Sequence, residues 1–299
     1  MSRSTISTIL VVILILSLAG CSGLKMVYSR LDWIVPYKID DYVSLNEKQS
    51  KELDKELRIF LDWHCANAVN QYAQWLRNIR SDVANGTIDK EKISHYMLTM
   101  ATFWQDVTEK IGHGADSVLF NIEPSQVDEL FENLAEQNLE YQHDYLDLPY
   151  AELRLELLDT MQVRLEKWAG ELTEQQIEAI RLWSYGATKR TAGWVGSRLV
   201  WQQALREVLT QKQPRKQFAQ SLFELMHYPE RLWTESYVWE REIGKREMIK
   251  LLFDIYQSLL PRQFEHLLQQ LDSWSEDMDS LSCETKKKTT GQVATFQSK

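Results

Sequence analysis

Two Glu-x-x-His matches, Glu140-Tyr-Gln-His143 and Glu224-Leu-Met-His227, come nearest to a chemistry-bearing pattern in this chain. On a helix, residues three apart share a face. Two such motifs, with a Glu from each of two other helices, can hold a pair of metal ions inside a helical bundle. Here, however, His227 lies two residues before Pro229, at a helix end rather than mid-bundle. The reading favoured for Glu140, His143, Glu224 and His227 is therefore surface pairs near helix C-termini, where a cationic imidazole is stabilised by the helix dipole. No cofactor is expected. His64 sits between Trp63 and Cys65, and a Cys–His couple can serve as a nucleophile and base. Adjacent helical residues diverge by roughly 100°, so these two cannot pair as neighbours. A partly buried, hydrogen-bonded histidine is the expectation. The chain has no GxSxG, HExxH or CxxC motif and no glycine-rich phosphate loop.

Charge distribution says more. The net charge of -9 argues against a nucleic-acid binder, which needs a basic excess to meet phosphates. Residues 31–166 hold 12 Lys/Arg and 26 Asp/Glu, a net of -14, whereas residues 181–250 hold 13 and 7, a net of +6. The basic stretch also carries Trp183, Trp194, Trp201, Trp233 and Trp239. One reading is intramolecular: basic helices pack beside acidic ones and the tryptophans fill the core. The other is a groove for an anionic partner, since Arg planes and Trp faces suit lipid head groups and glycans. The candidate patch is Lys189, Arg190, Trp194 and Arg198. Positions 190, 194 and 198 are four apart and would line one helix face. Gly186 and Gly193 are seven apart, also on one face, where small residues admit a close neighbour; a continuous or kinked helix is favoured over a break that forms a loop at a binding site.

These residues must be positioned by helices. Glycine (11) and proline (6) are few for 299 residues, so turns are few. Leu53, Leu57, Phe60, Leu61, His64, Ala68, Tyr72, Trp75 and Ile79 recur at three- and four-residue steps. Helical runs are expected at 46–84, 88–111, 124–146, 149–169, 173–211, 214–227, 229–258 and 261–280. Pro36 is expected to prevent a helix in the lead-in, and Gly112-His113-Gly114 to end the second run. No alternating stretch reads as a strand. The fold class is all-α, a single domain of about seven or eight helices over 45–280. A lead-in at 21–44 precedes it and a polar tail at 281–299 follows.

Four helix starts share one shape: Leu45-Asn-Glu-Lys-Gln49, Ile122-Glu-Pro-Ser-Gln126, Leu172-Thr-Glu-Gln-Gln176 and Leu259-Leu-Pro-Arg-Gln263. Each reads as a capping box with Gln at the third helical position. Val127, Ile177 and Phe264 can staple back onto the leading apolar residue, while Ser50 breaks that staple in the first copy.

The N-terminus gives an address. Residues 1–20 carry Arg3, an apolar run from Ile9 to Leu16 and then small residues, as a secretory signal does. The ending Leu18-Ala19-Gly20-Cys21 resembles a bacterial lipobox, which implies cleavage before Cys21 and a lipid on its thiol. Ser22 after the cysteine is similar to enterobacterial lipoproteins sorted to the outer membrane. Cys65 and Cys283 are expected to stay unbridged, although an oxidising compartment permits a bond.

The segments Tyr28-Ser-Arg-Leu-Asp-Trp33, Asp40-Asp-Tyr-Val43, Trp63-His64, Trp168-Ala-Gly-Glu-Leu172 and Leu259-x-Pro-x-Gln263 resemble an uncharacterised family of proteobacterial lipoproteins, classed as a domain of unknown function, over about 21–281. Leu172-Thr-x-x-Gln176 is also similar to the LTxxQ motif of small periplasmic stress chaperones. The resemblance implies no activity. The functional expectation is a lipoprotein on the periplasmic face of the outer membrane. It meets the membrane through Cys21 and binds an envelope protein or anionic envelope component without catalysis. The alternative is an enzyme acting on an envelope glycan or lipid with paired carboxylates.

Overall fold

The computed structural model describes residues 23–281. The signal, Cys21 and Cys283 lie outside the described residues. Among these, every regular element is helical. After a single turn, Gly23–Tyr28, come eleven longer α-helices: α1 Leu31–Asp40, α2 Glu47–Trp63, α3 Val69–Ala84, α4 Lys90–Leu119, α5 Pro124–Gln142, α6 Tyr150–Ala169, α7 Glu174–Lys189, α8 Thr191–Thr210, α9 Arg215–His227, α10 Glu235–Gln257 and α11 Pro261–Ser280.

Eleven exceeds the seven or eight expected, for three local reasons. The long first run is continuous in direction, but a π-turn at His64–Ala68 divides α2 from α3, with the Val69 N–H donating to the His64 carbonyl. The run at 173–211 is interrupted at the single residue Arg190, φ -95° and ψ -1°, at the loose edge of the right-handed helical region, which separates α7 from α8. The lead-in forms α1 with Pro36 inside it, at the cost of one intrahelical bond. The second run passes through Gly112 and Gly114 instead of stopping. There the glycines serve packing: a Cβ on Gly112 would press on Phe223 of α9 at 3.1 Å, and one on Gly114 on Glu56 of α2.

Three apolar clusters form the core. Leu158, Met161 and Leu165 of α6 meet Leu172, Ile180, Leu251 and Ile255. Leu76 and Val83 of α3 meet Ile93, Ile249 and Leu271. Val127 of α5 meets Leu205 and Leu209 of α8 and Phe218, Leu222 and Leu225 of α9. Helix α10 belongs to the first two clusters and joins them. Each fully buried Leu or Ile contributes about 1.5–3 kcal/mol. Between α3, α6, α10 and α11 lies a cavity of about 290 Å³ with almost wholly apolar walls. Leaving such a volume unfilled would cost on the order of several kcal/mol, at ~24 cal/mol per Å³.

All four repeated helix starts cap as expected, and they also pair. Gln49, Gln126, Gln176 and Gln263 each accept the N-cap backbone N–H three residues back, at 2.9–3.0 Å. The Gln49 and Gln126 amides then bond each other reciprocally at 2.9 and 2.8 Å. Gln176 and Gln263 do the same at 3.0 and 2.9 Å. The second N–H of each amide reaches a backbone carbonyl: Asn121, Ser44, Ser258 and Glu171 respectively. Each buried amide therefore fills its whole hydrogen-bonding capacity. Two pairs of helix N-termini, α2 with α5 and α7 with α11, are locked side by side. Asn46 and Thr173 add side-chain N-caps, whereas Leu260 has no acceptor to offer.

Candidate functional site

The kink at Arg190 builds the site. It turns α7 into α8 so that Gly186 and Gly193 both face α10. A Cβ on Gly186 would overlap the Glu247 carboxylate, and one on Gly193 would overlap that of Glu240. The two glycines thus make hollows for two carboxylates seven residues apart on α10. Arg190 lies between them, with Nη1 2.7 Å from Glu247 Oε2 and its Nε against Gly244. The Glu240 Oε2 atom is buried with no hydrogen-bond partner among the described residues. Such an atom is costly unless something offers a donor.

Above this interlock a groove of about 590 Å³ runs between α4, α8 and α10. Met97, Leu98 and Ala101 of α4 form one wall. Trp194, Trp233, Tyr237, Arg241 and Lys245 form the other. Trp233 and Tyr237 meet edge to face at 5.4 Å, and the Arg241 guanidinium lies 4.4 Å from the Trp233 ring centroid. Such stacking holds the guanidinium plane while its edge stays available to an anion. Aromatic faces stand in one open groove with three cations, Arg190, Arg241 and Lys245, and two carboxylates, Glu240 and Glu242, a set that can bind a polar, ring-bearing anion.

The four residues of the sequence patch are placed apart. Lys189 is exposed. Arg190 turns inward to Glu247. Arg198 turns to α5, where it donates to Asn138 and Gln137 at 3.1 and 3.3 Å and covers the Tyr141 ring at 4.7 Å. Of the four, Arg190 and Trp194 line the groove, and the other side of Trp194 is edge-on to Tyr141 and Tyr145. Other basic residues cross to acidic helices: Arg206 pairs with Asp128 and Arg215 with Asp116. Much of the +6 segment is thereby used within the molecule.

Nor are the Glu-x-x-His residues brought together. His143 bonds Asp144 at 2.9 Å in an exposed turn, and this contact raises its pKa. His227 stacks on Phe223 and lies 3.3 Å from the Thr108 hydroxyl. Glu224 accepts from Gln220 and lies 3.4 Å from Arg231. Among the described residues no group of three or more His, Cys, Asp or Glu is placed to hold a metal ion.

His64 bridges two tyrosines. Its Nδ1 is 3.0 Å from the Tyr28 hydroxyl and its Nε2 3.3 Å from that of Tyr72. Burial lowers the His64 pKa and pushes that of Tyr28 up to about 12. The neighbouring Cys65 is disulfide-bonded, contrary to the expectation of free cysteines, and its partner lies outside the described residues.

Sequence reading missed the groove and the glutamine pairs. Four copies of an apolar residue followed four places on by Gln were a visible signal of the pairs. The groove had only the two glycines as a hint. The fold defines an all-α protein built on paired helix N-termini, with an aromatic and basic groove on one side. More particularly, residues 41–238 match a family of unknown function, DUF6279, and the chain belongs to that family. No curated protein and no solved structure matches it. No described helix is long and apolar enough to cross a membrane.

Proposed function

We propose that this protein is a lipoprotein, anchored through Cys21 to the periplasmic face of the outer membrane, that binds an anionic envelope glycan without transforming it. The groove between α4, α8 and α10 is the observation that carries the binding reading. Its Trp194 and Trp233 rings suit sugar rings, Arg241 and Lys245 suit a phosphate or carboxylate on them, and Glu240 and Glu242 suit hydroxyl donors. The sequence Leu18-Ala19-Gly20-Cys21 supports the anchor.

Two measurements test the reading. Cys21→Ser should abolish labelled palmitate incorporation, and unchanged labelling would remove the anchor. Lipopolysaccharide core oligosaccharide should bind by calorimetry, with affinity falling as salt rises. Arg241→Glu with Lys245→Glu should lose that binding by about tenfold or more while circular dichroism stays unchanged. Salt-independent binding, or binding that survives the charge reversal, would overturn it.

A further inference from the structure

The apolar cavity among α3, α6, α10 and α11 is separate from the groove and has a different chemistry. Its walls come from Leu76 and Ile79, Leu165 and Ala169, Leu252 and Ile255, with Leu267 and Leu271 from α11. At about 290 Å³ it is about twice the size of an engineered apolar cavity that stays dry and takes up benzene. Water gains little there, because it needs two to four polar partners. One polar group is conspicuous. The ring of Trp75 lines the cavity, and its indole N–H is buried with no acceptor among the described residues. An indole nitrogen can only donate. The cavity therefore offers an apolar surface, and one of the rings that line it carries an unanswered donor. It is also only partly enclosed, so one end of an occupant can stay in water.

We propose that this cavity binds the tail of a single-chain amphiphile, a fatty acyl chain, whose carbonyl or carboxylate oxygen accepts the Trp75 Nε1–H. The aliphatic side chains of four helices replace water around the chain, and the hydrogen bond fixes how far it enters. The acceptor requirement separates acyl compounds from other surfactants of equal length. Ala169, only 4% exposed and small, leaves the space that the chain fills.

The test uses the full chain carrying Cys21→Ser, so that no lipid of its own competes, purified without detergent. Dodecanoate and dodecyltrimethylammonium share a tail, but only the first carries an acceptor. Titration calorimetry should show dodecanoate binding at one site, with a rise in melting temperature as ligand is added. Ala169→Leu should weaken it by about tenfold or more with the circular dichroism spectrum kept. If Ala169→Leu does not fold, Leu267→Phe at the partly buried margin provides the same obstruction. Trp75→Phe should weaken dodecanoate by roughly three- to tenfold and leave dodecyltrimethylammonium unchanged. Absence of dodecanoate binding, or binding unaffected by the obstructing variant, overturns the site. Equal loss of both ligands in Trp75→Phe overturns the acceptor role.

Discussion

The two glutamine pairs use one sequence device in different surroundings. Gln176 and Gln263 are 0% and 2% exposed, and Leu172, Ile177 and Leu259 around them belong to or pack on the first apolar cluster. Gln49 and Gln126 are 4% and 8% exposed and sit nearer the surface. There Ile122 packs with Val127 on one side, while the other side has Ser50 where an apolar staple residue would stand. The hydrogen bonds match almost one for one. What differs is access to water, and that decides what losing a bond costs. A buried amide pair whose every donor and acceptor is used is specific. Deprived of one member, it leaves groups that no water can reach.

The largest effect should come from Gln176→Ala. It orphans the Gln263 amide, the Thr173 N–H and the Ser258 carbonyl, and should cost about 3 kcal/mol by urea unfolding. Gln49→Ala should cost less, about 1–2 kcal/mol, because water can replace part of the network. Equal costs for the two would break the comparison. A double change of Gln176 and Gln263 to Leu should cost less than the sum of the single changes, since both partners leave together.

The next effect concerns the caps. Thr173→Ala should cost about 1 kcal/mol, and Thr173→Asp should be neutral or stabilising, since the helix N-terminus favours an anion. An Asp variant well below the Ala variant in denaturation would mean that the hydroxyl does something else. Ser50→Val, which restores the missing staple in the first pair, should raise stability by about 0.5 kcal/mol. A loss there would show that the first pair needs its polar margin.

The smallest effect is pH-dependent and sits at His64, between α2 and α3. The folded His64 pKa lies below its ordinary 6.5, so the unfolded chain binds the proton more readily. The stability this confers is complete above pH 6.5 and declines as pH falls from there toward the folded value. His64→Gln should flatten that window, and melting curves taken across it would show no change if His64 were solvated.

Periodicity, the scarcity of glycine and proline, and the four capped starts were enough to establish an all-helical chain and most helix beginnings, because helix formation is governed by residues three or four apart. The resemblance agreed with the match over residues 41–238 in one respect, that the chain belongs to a family of unknown function. Breaks inside runs were not legible. Arg190 itself carries no mark of a stop, although Gly186 and Gly193 on either side of it leave a kinked helix open. Pro36 and Gly112 carry marks that tertiary packing overrode. The arginines of the patch were spaced correctly for one face, yet each turned toward a different neighbour, because a guanidinium follows the carboxylate or amide that the fold places within reach. The same holds for the groove, the apolar cavity and the glutamine pairs. Each joins side chains about 80 or more residues apart, and spacing along the chain is silent about partners at that distance.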